Sequence, residues 1–368
     1  MARFLIVASN VSAGDAVGND IRHLQKILLE DGHEVKLAAR TNETANAEVV
    51  PLAECLGKTD KDQILIYHQS IDLPEAVALF LEHRGPRVLR YHNITPPELL
   101  RQYSEEIARG CARGREETLA LLAAKPEAVW ADSPYNAEEL QGSGVSPEIC
   151  HIIPPAHVID ELHQVAPDAT LAAKNGDGRK NILTVGRIVP NKCPHRLIEA
   201  IGVLKAQGRI MPRLIIVGRT LKQFAAYTDS LVELAKKLQV QDDVCFHFGV
   251  SPGELRALYE KSHLFAIASD HEGFCVPLVE AMSFGVPIVA LAAAAVSGTL
   301  GNAGITWPHT DARVWAATFA RILRDDALAT ELKVRGRKRY EENFTTEKIS
   351  AAYRGAIKQL LDLPSKVN

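Results

Sequence analysis

Two short runs in this chain combine residue types that can do chemistry. The first is Gly186-Arg187-Ile188-Val189-Pro190-Asn191-Lys192, with Pro194 just beyond it. Proline fits the first turn of a helix, so Arg187 and Lys192 bracket an expected helix N-terminus. Two cations and the positive end of a helix dipole make an anion site suited to a phosphate or diphosphate. Arginine grips such a group bidentately, and lysine meets it as a point charge. Taken alone, the pair reads equally well as two solvated loop cations. The second run is Ser269-Asp270-His271-Glu272-Gly273-Phe274-Cys275-Val276-Pro277-Leu278-Val279-Glu280. Here Gly273 permits close backbone approach, and Pro277 suits a helix start that Gly285 and Pro287 later end. The amides of Phe274, Cys275 and Val276 would sit near the helix's positive end. A carboxylate at Glu272 or Glu280 can accept the hydroxyls of a ribose or another sugar. The plainer alternatives are a capping role for Glu272 and an ordinary ion pair for Glu280.

These runs need strands to aim them. Short apolar runs alternate with helical periodicity along the front of the chain. Phe4–Ala8, Val35–Ala38, Ile64–Tyr67, Val88–Tyr91 and Ala128–Ala131 read as strands, and Ile21, Leu24, Ile27 and Leu28 recur at helix spacing. A second series follows with strands Asn181–Val185, Arg213–Val217, Val244–Phe248, Leu264–Ala268 and Pro287–Ala290. Alternation of this kind means parallel sheets covered on both faces. The expected fold class is α/β: two Rossmann-like doubly wound domains facing across a cleft. Residues 1–160 form the first domain and 181–345 the second. Residues 161–180, which hold Pro167, Gly176, Gly178 and the polar run Lys174–Lys180, read as the interdomain linker. Residues 346–368 read as a C-terminal helix through Ile349, Tyr353, Ile357, Leu360 and Leu361. Both chemical runs then lie just past strand ends, where doubly wound sheets hold ligands.

The first domain offers a small-residue turn, Ser12 to Asn19 with Gly14 and Gly18, after its first strand. The turn lacks a G-x-G-x-x-G pattern, so it is weak evidence for a dinucleotide site. His68 and His92 end strands, and each could face the cleft or be satisfied by backbone groups.

Composition narrows the function. The chain has 368 residues, 46% hydrophobic and 24% charged, which is ordinary for globular proteins. Lys and Arg number 42 against 45 Asp and Glu, a formal charge of −3 that argues against binding nucleic acid by bulk charge. The six cysteines, Cys55, Cys111, Cys150, Cys193, Cys245 and Cys275, form no C-x-x-C pair, so neither structural zinc nor a disulfide framework is expected. Met1–Ala8 is too short and too weakly basic for a signal peptide, and Val286–Val296 falls short of a membrane span. Residues 98–125, read as helical, carry five cations and five anions, which gives no polybasic anchor. A cytoplasmic location is expected, peripheral at most at the inner face of a membrane.

Gly186-Arg187…Lys192, Glu272-x7-Glu280 and Glu280-Ala281-Met282…Gly285-Val286-Pro287 together resemble the retaining nucleotide-sugar glycosyltransferases of family four, which have the GT-B fold. The likeness spans roughly 181–345. It is looser in the first half, resting on Gly14, Gly32-His33-Glu34-Val35 and Tyr91-His92-Asn93. The resemblance implies that Arg187 and Lys192 hold the donor diphosphate, with Gly186 at the turn. It implies that Glu280 binds the nucleotide ribose and that Glu272, beside Gly273, Phe274 and Cys275, contacts the donor sugar. His247 to Val250 would border the base, Gly14 would approach donor phosphate and acceptor, and His92 would line the sugar pocket. The C-terminal helix would cross back onto the first domain. Cys275 departs from the glycine that many members carry, and Ala292–Ala295 replaces a glycine-rich loop and is given no role.

The implied reaction moves a hexose, mannose favoured, with retention, from a GDP- or UDP-linked donor to a hydroxyl of a glycan or lipid-linked saccharide acceptor in a bacterial surface-glycan pathway. The donor is a substrate, so no cofactor is expected. No D-x-D run follows a strand, so no metal is expected either. Another GT-B enzyme, such as a sugar-nucleotide epimerase, and a non-catalytic sugar-nucleotide-binding protein stand as alternatives.

Overall fold

The computed structural model describes residues 1–12, 14–43, 48–208 and 210–363, and the chain divides into two compact α/β units. Met1–Pro97, Ile107–His157 and the segment from Thr345 make the first unit; Glu98–Glu106 and Val158–Phe344 make the second. Ala13 of the expected Ser12–Asn19 turn and residues 364–368 of the expected C-terminal helix lie outside the described residues.

The first unit holds strands β1 (Arg3–Val11), β2 (Glu34–Asn42), β3 (Val49–Pro51), β4 (Gln63–Gln69), β5 (Arg87–Tyr91), β6 (Ala128–Ala131) and β7 (Cys150–Ile152). Their order is β3-β2-β1-β4-β5-β6-β7, and every pairing is parallel. Phe4–Ala8 and Ile64–Gln69 are buried without alternation, as a strand covered on both faces requires. The helix Ala16–Glu30 buries Ile21, Leu24, Ile27 and Leu28, and the Asp15 carboxylate caps it by accepting from the Gly18 amide at 2.7 Å. A Cβ at Gly18 would lie 2.1 Å from the Ser12 carbonyl oxygen, so only glycine lets this helix start so close to the end of β1.

The second unit holds β8 (Asn181–Val185), β9 (Arg213–Val217), β10 (Val244–His247), β11 (Leu264–Ile267), β12 (Ile288–Leu291) and β13 (Ile305–Trp307). The order is β10-β9-β8-β11-β12-β13, again all parallel. Both sheets are therefore doubly wound, as the alternating pattern requires. Strand order reverses between β1 and β4 in one sheet and between β8 and β11 in the other, which are the two places where such sheets bind ligands.

Three features differ from the sequence reading. Residues 161–180 form no bare linker: the helices Ile159–Gln164 and Ala169–Asn175 occupy that stretch and pack on the helix Pro252–Glu260 of the second unit. Ile159 and Leu162 join the second unit's core there, which accounts for the folding of a stretch rich in proline and glycine. The stretch 98–125 breaks into the helices Glu98–Arg101 and Glu105–Ala123. Tyr103, in the break, sets its ring edge-on to Tyr227 at 5.1 Å. Finally, β3, β7 and β13 were not expected; each has three residues and lies at a sheet edge.

The helix Thr346–Leu361 belongs to the first unit, where Ile349, Tyr353, Ile357 and Leu360 join the core that β1 and β4 line. Among the described residues, no helix is long and apolar enough to cross a membrane.

Candidate functional site

Strands β8 and β11 are neighbours, so the loops after them emerge side by side. The loop after β8 is Gly186–Cys193. Its first part is tied to the loop after β9: the Gly186 amide donates to the Val217 carbonyl, and the Ile188 amide donates to that of Arg219. Arg187 is exposed, with no ion pair among the described residues. Pro190–Lys192 form a 3-10 turn, and the helix Pro194–Ala206 begins two residues after Lys192.

The loop after β11 brings Glu272 to Lys192. Lys192 Nζ donates to Glu272 Oε2 at 2.5 Å, and Ser269 Oγ donates to Oε1 at 2.7 Å. The Glu272 carboxylate is 5% exposed and the lysine side chain 23%. This is a charge-assisted bond with its anion mostly withdrawn from water, so it is stronger than a surface pair. The Ala295 amide donates to the Glu272 carbonyl, which gives a structural task to the Ala292–Ala295 run.

Gly273 and Phe274 follow, and Thr299 Oγ1 donates to the Phe274 carbonyl at 2.7 Å. Cys275 precedes the helix Val276–Ser283 with φ +77°, a left-handed backbone that costs a side-chain-bearing residue about 1–2 kcal/mol. That conformation is why glycine suits the position. The thiol is buried in the second unit's core, and burial, with Glu272 nearby, pushes its pKa well above the ordinary value.

Glu280 lies in the same helix, where its carboxylate accepts from Tyr259 Oη at 2.6 Å. Burial pushes the Glu280 carboxyl upward, and the tyrosine hydroxyl partly offsets this. Tyr259 stacks on Phe284, with ring centroids 5.1 Å apart and planes 4° from parallel. Val250 packs against the same core after β10, ahead of the helix Pro252–Glu260 that Ser251 and Glu254 cap reciprocally.

Of the residues expected to act, the second unit holds Gly186, Arg187, Lys192, Val250, Glu272, Gly273, Phe274, Cys275 and Glu280; it joins Lys192 to Glu272 directly. Gly14 and His92 belong to the first unit. Gly14 is exposed with φ +83° ahead of the helix Ala16–Glu30. His92 is one residue past β5 and almost wholly buried. Its Nδ1 lies 3.2 Å from Asp132 Oδ2 and its Nε2 2.9 Å from His68 Nδ1. In the neutral rings, Asp132 accepts from His92 Nδ1–H, and His92 Nε2 accepts from His68 Nδ1–H. Neither His92 nitrogen is left to meet a sugar in this arrangement.

Around the two histidines sits a buried charge network. Arg90 Nε donates to Asp20 Oδ2 at 2.9 Å, and Arg90 Nη2 lies 2.9 Å from Asp132 Oδ1. The Ala156 amide and Tyr353 Oη donate to Asp20 Oδ1 at 2.8 and 2.6 Å. Burial of Asp20 is outweighed by the charge and hydrogen bond of the Arg90 guanidinium, so its carboxyl is held far below the ordinary range. Burial lowers His68, which keeps that ring neutral. Asp20, His68 and His92 offer three ligand atoms close together. The Arg90 guanidinium, however, already supplies the positive charge a metal ion would bring to Asp20.

Sequence reasoning missed Ser269, Tyr259, Arg196 and this network. Ser269 stood within the quoted run three residues before Glu272. Tyr259 and Arg196 stand on helices, at positions that only the fold brings to the site.

Fold and site define a class: paired Rossmann-type parallel sheets, with a lysine–glutamate pair at the strand-order reversal of the second. Residues 171–339 match the family model of the glycosyl transferases, group 1. Over 231 residues the chain is 29% identical to the MMP alpha-(1->4)-mannosyltransferase of Mycolicibacterium hassiacum, covering 61% of this chain and 52% of that one. It is 29% identical over 192 residues to the D-inositol 3-phosphate glycosyltransferase of Kineococcus radiotolerans, covering 48% and 44%. The chain spans about half the length of the curated relatives it matches. Among solved structures, Anabaena Alr3699/HepE in complex with UDP and glucose superposes with a TM-score of 0.77, 16% identity and coverage of 98% and 100%. WaaG, a glycosyltransferase involved in lipopolysaccharide biosynthesis, gives a TM-score of 0.71 at 17% identity, with coverage of 96% and 98%. At these identities the structural likeness establishes the GT-B fold.

Proposed function

We propose that this chain is a retaining glycosyltransferase. It moves a hexose, with mannose favoured, from a GDP- or UDP-linked donor to a hydroxyl of a glycan or lipid-linked acceptor. The observation that carries the reading is the Lys192–Glu272 pair at the β8–β11 reversal, with Glu280 on the helix that follows. The match of residues 171–339 to the group 1 model and a mannosyltransferase among the relatives support it.

In this reading Arg187 and Lys192 hold the donor diphosphate and stabilise charge on it as the sugar–phosphate bond breaks. Lys192 exchanges its carboxylate partner for phosphate oxygen, which frees Glu272 for the sugar hydroxyls. Glu280 receives the ribose hydroxyls, with Tyr259 holding its carboxylate. The departing phosphate takes the acceptor's proton on the same face, which retains configuration. Two side-chain cations do the work of a divalent metal, so the reaction is metal-independent, and it runs on the cytoplasmic side of the cell envelope.

The test is transfer by the purified chain from labelled GDP-mannose and UDP-glucose to a panel of saccharide acceptors, with the product's anomeric configuration read by NMR. An axial donor linkage kept in the product, at an undiminished rate in excess chelator, is expected. Inversion, or loss of transfer on chelation, contradicts the mechanism. Nucleotide binding without any donor consumption favours a binding protein.

A further inference from the structure

We infer that Asp270, gripped by Arg196, is a positioning residue that sets the Lys192–Glu272 pair; the inference rests on the donor-site reading above. Asp270 is two residues before Glu272, and Arg196 is four residues after Lys192. Arg196 Nη1 donates to Asp270 Oδ1 at 2.6 Å and Nη2 to Oδ2 at 3.1 Å, a fork on both carboxylate oxygens. Nη1 also donates to the Ala268 carbonyl just past β11, at 2.9 Å. One guanidinium in the first turn of the helix after β8 thus holds the root of the loop after β11.

The residues on either side of Lys192 are fastened to the same loop. The Asp270 amide donates to the Asn191 carbonyl at 2.9 Å, and Asn191 Nδ2 donates to the His271 carbonyl at 3.4 Å. Cys193 Sγ lies 3.2 Å from Asp270 Oδ2 and also 3.2 Å from the Pro190 carbonyl. Burial pushes the Cys193 thiol up to about 12, so at neutral pH it stays protonated and can donate to either oxygen. Cys193 holds φ +50°, the left-handed bend that turns the chain from the Lys192 turn into the helix. Lys192 and Glu272 therefore meet between two anchored segments, and Asp270 is the residue that both anchors share.

An ion pair serving only general stability, with side chains 20% and 33% exposed, would contribute little. A positioning pair must affect turnover well beyond stability, because small misplacement of a charge-stabilising group is costly in rate. Three variants separate the readings: Asp270→Asn keeps the shape and loses the charge, Arg196→Met loses the fork, and Arg196→Lys keeps charge without the fork. With the donor and acceptor that wild type uses, Asp270→Asn and Arg196→Met are expected to lower kcat about tenfold. Donor KM is expected to change much less, thermal midpoints should stay near wild type, and Arg196→Lys should fall between. Placed on Lys192→Ala, Asp270→Asn is expected to have almost no further effect, since it acts through a side chain already gone.

A donor-free arm reads the same pair. Acetylation of Lys192 by an N-hydroxysuccinimide ester, followed by mass spectrometry, should speed up several-fold in Asp270→Asn as Nζ loses its fixed partner. If labelling rises while wild type transfers no sugar, the positioning role stands and the functional reading fails. If wild type transfers sugar but the variants keep both kcat and Lys192 labelling, or if the Lys192→Ala cycle is multiplicative, the positioning role is overturned.

Discussion

Glu280 has the clearest pH signature among the candidate site's side chains. Its carboxyl titrates above its ordinary value in the folded chain because burial disfavours the charged form. Above the ordinary value the unfolded chain has released this proton while the folded chain still holds it. The folded state then binds more protons, so this group's contribution to stability falls as pH rises from about 4.5 through the raised value. Glu280→Gln should therefore match wild type near pH 4 and be the more stable protein at pH 7, as measured by denaturant midpoints. Equal midpoints at pH 7 would mean that Tyr259 and nearby solvent fully compensate the charge. Lys192 makes a different kind of prediction. Its removal should raise the barrier to transfer by roughly 2–4 kcal/mol, with turnover per folded molecule as the readout.

At the scale of elements, the loops after β8 and β9 are held at the distance of touching backbones. A Cβ added at Gly218 would stand 1.8 Å from the Gly186 carbonyl oxygen. Gly218→Ala must push the Gly186–Arg187 turn away or strain β9, which should cost about 1–3 kcal/mol or more. Nucleotide affinity should fall with it, and a variant of wild-type stability and affinity would show that this turn does not set the site. Most strands were legible because a strand buried on both faces is an unbroken apolar run, as Leu264–Ile267 and Ile288–Leu291 are. Strands β3, β7 and β13 escaped notice because three half-exposed residues leave no such run. Helix starts were legible at Pro194 and Pro277, which the structure places in first turns. The pairing of Lys192 with Glu272 was not: 80 residues separate them, and only the adjacency of β8 and β11 joins them.

Over the whole chain, the C-terminal helix Thr346–Leu361 returns to the unit that Met1 begins. Apolar periodicity announced this helix, but its hydrogen bond from Tyr353 to Asp20 spans 333 residues and leaves no local trace. Arg90 is fully buried between Asp20 and Asp132, so Asp20→Ala would leave that cation with only the second carboxylate and would strip the Ala156 amide and the Tyr353 hydroxyl of their acceptor. The expected loss is about 3–5 kcal/mol in the first unit's unfolding free energy. Tyr353→Phe should cost less, on the order of 1 kcal/mol, since Arg90 and the Ala156 amide still satisfy the carboxylate. Because the Asp20 carboxyl is depressed in the fold, its contribution is present above its ordinary value of 3.8 and is lost as pH falls below it. Urea unfolding of both variants at pH 7 and pH 3 checks the order and the sign.

The central claim is that Lys192, beside Glu272, is the seat of a donor diphosphate. Calorimetric titration of UDP and GDP into wild type, and into Lys192→Ala of matched thermal midpoint, tests it most directly. The account predicts that wild type binds at least one of the two and that the variant binds it at least tenfold more weakly, a difference of about 1.4 kcal/mol. Equal affinity in both proteins, or no binding of either nucleotide to wild type, would contradict it.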